Sequence, residues 1–367
     1  MQKTAKYWLD KILGLNITEP VRIMNVCGGH ERTLSHSGVR SLLPENIQII
    51  PGPGCPVCVC DNETIQFAIS LALEPHIAII TFGDMLRVPT NIGRTKINSL
   101  EQARAHGGTV IPISSPQEAI AYANNHNDQE VVFFAAGFET TSAPIAAMIE
   151  QGLPDNLSLL LALKRTWPIV HELLKSEDSR IDGLIAPGHV ATIMGSNEWN
   201  FVNAEFSLPC AIGGFTDTSL LAAIYSVVKQ KITHNINLEN CYNIVVQKNG
   251  NSRAKSIISS YFDISDANWR GVGVIPKSGY ELKQSYSHID ANKKHQQLKP
   301  ESTQNDQMPP GCDCSAVILG KLSPLECKLY ETACTPATPI GPCMVSDEGA
   351  CHIWWLSGQR KKHECDA

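Results

Sequence analysis

The sequence predicts an α/β protein with two small parallel-sheet domains, a cleft between them and a C-terminal Cys-rich module. Short apolar runs alternate along the chain with helix-like segments. The runs are continuous rather than alternating in hydrophobicity, as expected for parallel strands that are buried on both faces. Seven of the thirteen cysteines lie in residues 301–367, which sets this region apart from the rest.

The elements follow one another in a regular order. A short amphipathic helix comes first, because Trp8, Leu9, Ile12 and Leu13 recur at helical spacing. Buried strands, each ending at glycine, proline or a small polar residue, are predicted at 22–26, 47–50, 77–81, 131–136, 184–186 and 211–212. Helices are predicted at 62–73, 99–106, 116–125, 141–151, 166–176 and 217–231.

The predicted domains are residues 1–128 and 129–286, each an α/β domain. Residues 287–311 are polar, contain few large apolar side chains and end in Pro-Pro-Gly, which is typical of a linker. Residues 312–367 form the Cys-rich module. Ligands of parallel sheets bind at the carboxyl ends of strands. The loops expected to line one cleft are therefore those after residues 26, 50, 81, 136 and 186.

The composition excludes several classes of protein. Hydrophobic residues make up 43% and charged residues 18%, which is typical of a globular chain and not of a disordered or collagen-like one. A net charge of -6 gives no electrostatic support for nucleic-acid binding. No apolar run approaches the length of a membrane span, and residues 1–15 lack the apolar core of a signal peptide. We therefore expect a cytoplasmic protein with reduced thiols.

The C-terminal cysteines give the strongest chemical signal. Cys314, Cys327, Cys334 and Cys351 are separated by 12, 6 and 16 residues. Four thiolates in a small module suit a tetrahedral zinc ion or an iron–sulfur cluster. Zinc sites usually contain close ligand pairs, so the wide spacing favours a cluster. Further cysteines of this region, without an assigned role, are Cys312, Cys343 and Cys365.

A second signal is Cys55-Pro56-Val57-Cys58, which follows a predicted strand. A C-x-x-C pair beside strand–helix units is typical of a redox dithiol that cycles between thiol and disulfide. Half of a zinc site fits the same spacing. Cys60 is interpreted as a small buried residue rather than a third participant.

A third signal is Cys27-Gly28-Gly29-His30-Glu31. The glycines permit a tight turn and a close backbone approach. A thiolate at the end of a strand, with a histidine nearby, suits a nucleophile or a single metal ligand. A buried cysteine beside a structural turn is the alternative.

Two further motifs follow predicted strands. In Gly137-Phe138-Glu139-Thr140-Thr141, the threonines are candidates for capping the next helix, with Glu139 in its first turn. Glu139 and Thr140 are also candidates for a catalytic role. His189, in Pro187-Gly188-His189-Val190, is a candidate ligand or catalytic group, or a packed core histidine.

These motifs, and their order along the chain, resemble those of the HypD family of hydrogenase maturation proteins. The quoted segments are CGGH at 27–30, GPGCPVC at 52–58, TFGD at 81–84, RVP at 87–89, GFETT at 137–141, PGHV at 187–190, WRGxGxIxxSG at 269–279, GK at 320–321 and MVSxEGAC at 344–351. The resemblance extends over nearly the whole chain.

The resemblance implies a redox-active scaffold rather than a conventional enzyme. Such proteins join the chaperone HypC, and together they carry the iron on which the Fe(CN)₂CO group of [NiFe]-hydrogenase is assembled, with HypE as the cyanide donor. Carried over by motif, Cys27 binds the iron beside His30, and Cys55 and Cys58 form the redox dithiol. The ligands of a [4Fe-4S] cluster are then Cys314, Cys327, Cys334 and Cys351.

The sequence departs from the family pattern at a few positions. Glu31 and Arg32 stand where many members have Thr-His, and Cys60 stands where cysteine is unusual. Two other functions remain open. The first is a cluster-dependent thiol–disulfide reductase that acts on a protein disulfide, and the second is a zinc-stabilised binding module.

Overall fold

The computed structural model describes residues 3–91, 97–176, 179–300 and 307–361. The strands in these residues are β1 (Val21–Cys27), β2 (Ile47–Gly54), β3 (Ile77–Phe82), β4 (Thr109–Ile113), β5 (Glu130–Gly137), β6 (Leu157–Lys164), β7 (Gly183–Pro187), β8 (Cys210–Gly213), β9 (Leu238–Asn240), β10 (Phe262–Trp269) and β11 (Gly273–Leu282). The α-helices are α1 (Ala5–Leu13), α2 (Gly28–His36), α3 (Val39–Leu42), α4 (Pro56–Val59), α5 (Asn62–Ala72), α6 (Leu100–Ala105), α7 (Pro116–Asn125), α8 (Glu139–Gln151), α9 (Thr166–Lys175), α10 (Gly188–Met194), α11 (Phe201–Ala204), α12 (Asp217–Thr233), α13 (Ser252–Tyr261), α14 (Ala291–Lys294), α15 (Cys314–Ile318) and α16 (Ala350–Leu356).

The chain forms two compact units, each assembled from separated segments. Unit 1 contains Met1–Cys55, Ile169–Asn251 and Gly311–Ala367, and unit 2 contains Pro56–Pro168 and Ser252–Pro310. The predicted domains 1–128 and 129–286 follow chain order instead. The difference arises because sheet neighbours lie far apart in the sequence: β1, for example, pairs with β7.

The sheet of unit 1 is parallel throughout and has the strand order β2-β1-β7-β8-β9. Its strands β1, β2, β7 and β8 contain the apolar runs predicted from the sequence. The predicted first helix is confirmed as α1, and it packs against α12. Ile12, Ile23, Ile185 and Leu220 belong to the buried core that the sheet shares with these helices.

The sheet of unit 2 has the order β10-β11-β6-β5-β3-β4. Strands β3 to β6 are parallel, and the predicted runs at 77–81 and 131–136 are buried in β3 and β5. The antiparallel hairpin of β10 and β11 pairs with β6 and was not predicted. Strand β10 is buried only at its end residues Phe262 and Trp269, and β11 mixes buried with exposed residues, so neither contains the continuous apolar run that marks a buried strand.

The six predicted helices are confirmed as α5, α6, α7, α8, α9 and α12. Local capping explains several of their starting points: the Asp61 side chain accepts the Thr64 N–H at 2.8 Å, and Ser115 and Glu118 form a capping box. Helix α2 was missed, because Gly28-Gly29 was interpreted as a tight turn. The helix instead begins directly at Gly28.

The segment predicted as a polar linker, 287–311, is structured in its first half. Residues 284–289 form a 3-10 helix, and α14 follows with Ala291 fully buried. Lys294 and His295 contact the Glu130 carboxylate of β5 at 3.2 and 3.3 Å. None of the described helices has both the length and the apolarity that a membrane crossing requires.

Candidate functional site

The ends of two neighbouring strands bring Cys27 and Cys55 together. Parallel pairing of β1 with β2 places Cys27 opposite Gly54, after a register shift that follows Asn25. A Cβ on Gly54 would lie 1.7 Å from the carbonyl oxygen of Val26, so only glycine permits the two backbones to approach this closely. Cys55, the next residue, therefore lies beside Cys27.

A small cavity of unit 1 surrounds these two cysteines. Its lining includes Cys27, Cys55 and Glu31, together with Glu348 and Ala350 from the Cys-rich C-terminal region. A Cβ on Gly28 would lie 2.5 Å from the Glu348 carbonyl oxygen, so the C-terminal segment lies directly against the beginning of α2. The close backbone approach predicted at Gly28-Gly29 is thus confirmed.

The environment of Cys27 favours its thiol form. Burial and the negative charge of Glu348 raise the pKa of Cys27 to about 12, although the backbone N–H groups of His30 and Gly29 donate to the sulfur and oppose the rise. A metal ion would have to displace this proton in order to bind.

The His30 ring does not face the Cys27 sulfur. The ring is fully buried, with Nδ1 3.1 Å from Asn25 Oδ1 and Nε2 3.1 Å from the Gly213 carbonyl oxygen. Burial lowers the pKa of His30 to about 3, so the ring is neutral at physiological pH. His30 thus reaches the Cys27 sulfur through its backbone N–H and not through its ring.

The buried neutral ring of His30 predicts a loss of stability in acid. The unfolded chain binds a proton at pH values near 6.5 and the folded chain does not, so the free energy of unfolding falls as the pH drops below 6.5. We expect His30 to contribute about 2 kcal/mol to this fall between pH 6.5 and pH 5. Urea unfolding at both pH values should show a smaller fall for His30→Gln and an unchanged fall for His36→Gln, a control at an exposed position of the same helix. Equal falls in wild type and His30→Gln would contradict this assignment.

His189 lies on α10 and is not a packed core histidine. It is exposed, and its ring stacks on Phe215 with the centroids 3.6 Å apart. Partial burial of the ring lowers its pKa. Phe215 also contacts the His30 ring, at 4.7 Å between centroids. One aromatic side chain therefore contacts both histidines that the sequence identified.

Cys55 and Cys58 are both disulfide-bonded, and both side chains are buried. Both cysteines of the C-x-x-C pair are therefore oxidised here, and their redox role stays a prediction. Cys60 is not disulfide-bonded and is fully buried, in agreement with its interpretation as a buried residue.

Five cysteines of the C-terminal region line a second small cavity in unit 1. They are the four predicted cluster ligands, Cys314, Cys327, Cys334 and Cys351, together with Cys312. Leu329, Tyr330 and Met344 complete the lining. The cysteines that the widely spaced pattern identified therefore meet at one place, and the pattern did not include Cys312.

The second cavity fits the chemistry of an iron–sulfur group. Its donor atoms are sulfurs, and the backbone N–H groups of Cys343 and Ile340 donate to the sulfurs of Cys314 and Cys334 at 3.3 and 3.4 Å. Such bonds are one means by which proteins tune a cluster. Among the described residues, no three His, Cys, Asp or Glu side chains are arranged to hold a single metal ion. The cluster stays a prediction.

In unit 2, Glu139 has a clear structural role. Its fully buried carboxylate accepts the Thr166 N–H at 2.8 Å and the Thr166 hydroxyl at 2.6 Å, and so caps the beginning of α9. The proposed threonine caps of α8 are wrong, because α8 begins at Glu139 and its N-cap residue is Phe138, which makes no side-chain cap. Thr140 lies in the first turn and is half-buried.

Sequence reasoning missed two groups that lie near Cys27. Glu348 occurs in the quoted MVSxEGAC motif but was assigned no role. In the structure it lines the Cys27 cavity, and its negative charge contributes to the raised pKa of Cys27. No sequence pattern predicted the hydrogen bond between Glu31 and Trp354, because these residues are 323 positions apart in the chain.

Comparison with known proteins gives a consistent result. A family model described as "HypD: Hydrogenase formation hypA family" matches residues 3–358. The chain is 39% identical to "Hydrogenase maturation factor HypD2" of Bradyrhizobium diazoefficiens, over 99% of this chain and 98% of that protein. It is 37% identical to proteins named "Hydrogenase maturation factor HypD" from Rhizobium leguminosarum, over 96% of this chain and 93% of the relative, and from Escherichia coli, over 95% and 92%.

Proposed function

The chain belongs to the HypD family, and on that premise we propose that it acts in hydrogenase maturation. In this proposal it is a cytoplasmic scaffold on which, with a HypC-type chaperone, the Fe(CN)₂CO group of [NiFe]-hydrogenase is assembled. HypE is the proposed donor of cyanide. Cys27 holds the iron, and electrons come from a [4Fe-4S] cluster and the Cys55/Cys58 dithiol.

The observation that supports this proposal most directly is the cavity shared by Cys27 and Cys55. Its wall includes Ala350, which is the residue before the proposed cluster ligand Cys351. The proposed iron ligand Cys27, the proposed redox cysteine Cys55 and the residue before a proposed cluster ligand thus line one cavity of unit 1. This is the arrangement that a redox step close to bound iron requires.

The roles of the residues follow from their chemistry. The Cys27 thiol loses its proton when iron binds, because the thiolate is the ligand. Low-spin iron with cyanide and CO ligands is soft, so a thiolate suits it. Reduction of the disulfide-bonded Cys55 and Cys58 takes two electrons and two protons and yields two thiols. A bound cluster supplies one-electron chemistry, and its ligands would be Cys314, Cys327, Cys334 and Cys351.

A cluster-dependent thiol–disulfide reductase is the second candidate. The disulfide-bonded state of Cys55 and Cys58 favours it, because such an enzyme passes through that state. It would act on a protein disulfide and would not need Cys27. A Cys27 variant therefore distinguishes the two candidates.

We expect Cys27→Ala to remove the cyanide and CO infrared bands of the complex purified with HypC. The variant lacks the thiolate that binds the iron in this proposal, whereas the C-terminal cysteines are unchanged and HypC should still bind. The measurement is infrared spectroscopy of the anaerobic complex, with the visible spectrum and HypC content recorded on the same sample.

Cys241→Ala is the matched control, because Cys241 is also half-buried, and burial likewise raises its pKa to about 12. It should keep the bands. Bands of normal intensity in Cys27→Ala would move the iron to another residue and favour the reductase.

A further inference from the structure

A buried carboxylate, Glu31, joins the helix that begins after Cys27 to the helix that carries Cys351. Glu31 is 2% exposed and lies on α2. Its Oε1 accepts the indole N–H of Trp354 at 2.6 Å and a guanidinium N–H of Arg40 at 2.5 Å, and its Oε2 accepts the Asn25 amide N–H at 3.3 Å. Both oxygens are hydrogen-bonded, so the buried charge is compensated.

Arg40 connects the same group to the sheet. Its guanidinium lies 4.9 Å from the centre of the Trp354 ring and also donates to the Ile49 carbonyl oxygen of β2. A cation over an aromatic face is attracted to it, most strongly when both are shielded from water. Helices α2 and α16 and strand β2 are thus joined through Glu31 and Arg40.

The position of α16 determines one wall of the Cys27 cavity. Glu348 and Ala350, which line that cavity, lie just before α16 and at its first residue. Trp354 lies four residues after Ala350, about one turn along the same helix. Because one helical turn is rigid, anchoring Trp354 also anchors Ala350 beside Cys27.

We propose that Glu31 is a positioning residue that, through Trp354, holds the beginning of α16 against α2 and keeps the cavity around Cys27 closed. Glu31 stands in this chain where many members of the family have threonine, whose neutral hydroxyl cannot compensate the charge of Arg40. The proposal rests on the proposed function only for the role of Cys27 as iron ligand. The contacts that close the cavity do not depend on it.

The test is the rate at which iodoacetamide alkylates Cys27 in the full anaerobic chain, followed by peptide mass spectrometry. Loss of a hydrogen bond to a charged group should make alkylation about tenfold faster in Glu31→Thr. Trp354→Phe should show a similar increase, and the double variant should be no faster than either single one, because both remove the same bond. Trp355→Phe, at the neighbouring half-buried position of α16, should keep the wild-type rate.

Glu31→Gln separates positioning from electrostatics and from general stability. The amide oxygen can still accept the Trp354 N–H, but the charge opposite Arg40 is gone. We expect a lower Tm with a wild-type alkylation rate. A rate that follows Tm across all variants, or that rises equally in Glu31→Gln and Glu31→Thr, would overturn the proposal, as would equal rates in wild type and Glu31→Thr.

The infrared bands of the HypC complex are recorded on the same preparations. Absence of these bands in wild type counts against the proposed function. The alkylation rates still decide whether Glu31 keeps the Cys27 cavity closed, so the two proposals fail separately.

Discussion

Alanine in place of Cys327 or Cys334 should give a colourless protein, whereas the anaerobic wild-type chain should be brown and contain about four cluster irons. The reason is that three thiolates do not hold such a cluster as firmly as four. Both residues line the second cavity of unit 1, and both side chains are buried, so neither is readily replaced by solvent. Iron analysis and the visible spectrum of anaerobically purified protein measure the effect.

Two further cysteines of this region, Cys312 and Cys343, sharpen the experiment. Cys343→Ala is the control that lies next to the proposed ligands. The Cys343 side chain is fully buried and hydrogen-bonds with the side chains of Cys314 and Cys351, and its sulfur accepts the Cys351 N–H at 3.3 Å, but it does not line the cavity. This variant should keep the cluster. Cys312 lines the cavity but is not one of the four predicted ligands. Cys312→Ala therefore tests whether Cys312 is needed for the cluster. A colourless wild-type chain with stoichiometric zinc would contradict the cluster and favour the binding module.

The strands and helices that shape the site were largely readable from local sequence. Continuous apolar runs that end in glycine or proline mark β1, β2, β3, β5 and β7, and this signal needs no knowledge of distant residues. The hairpin of β10 and β11 was missed because much of it is exposed and neither strand contains a continuous apolar run. The assembly of the units from separated segments was also missed. It depends on which strands pair with one another, and the positions of the strands along the sequence do not determine this.

The cysteines at the sites could be predicted, but the groups around them could not. Cys27, Cys55 and the C-terminal cysteines are conspicuous by residue type and spacing. Glu31 and Trp354 form their hydrogen bond only because α16 packs against α2, and no local sequence pattern around either residue predicts this contact. The His30 ring was expected near the Cys27 sulfur because the two are three residues apart. Since α2 begins immediately after Cys27, the ring lies instead between Asn25 and Gly213.

Serine in place of Cys55 or Cys58 should abolish hydrogenase maturation and leave the cluster intact. A redox pair fails when either sulfur is lost, since neither the disulfide nor the dithiol can then form. The C-terminal cysteines do not include either residue, so the visible spectrum should be unchanged. Hydrogenase activity in cells that depend on this chain for maturation provides the measurement.

Cys60→Ser is the control that the chain itself offers. Cys60 lies two residues after Cys58 and is fully buried, so a nonspecific effect of serine in this segment would appear there as well. We expect Cys60→Ser to support maturation, because Cys60 is not disulfide-bonded. Full activity of both Cys55→Ser and Cys58→Ser would reduce the disulfide to a structural role. In that case the electrons needed during assembly of the iron group would have to reach the Cys27 cavity without a dithiol. The path would then run directly from the proposed cluster, because Ala350, which lines that cavity, immediately precedes the proposed cluster ligand Cys351.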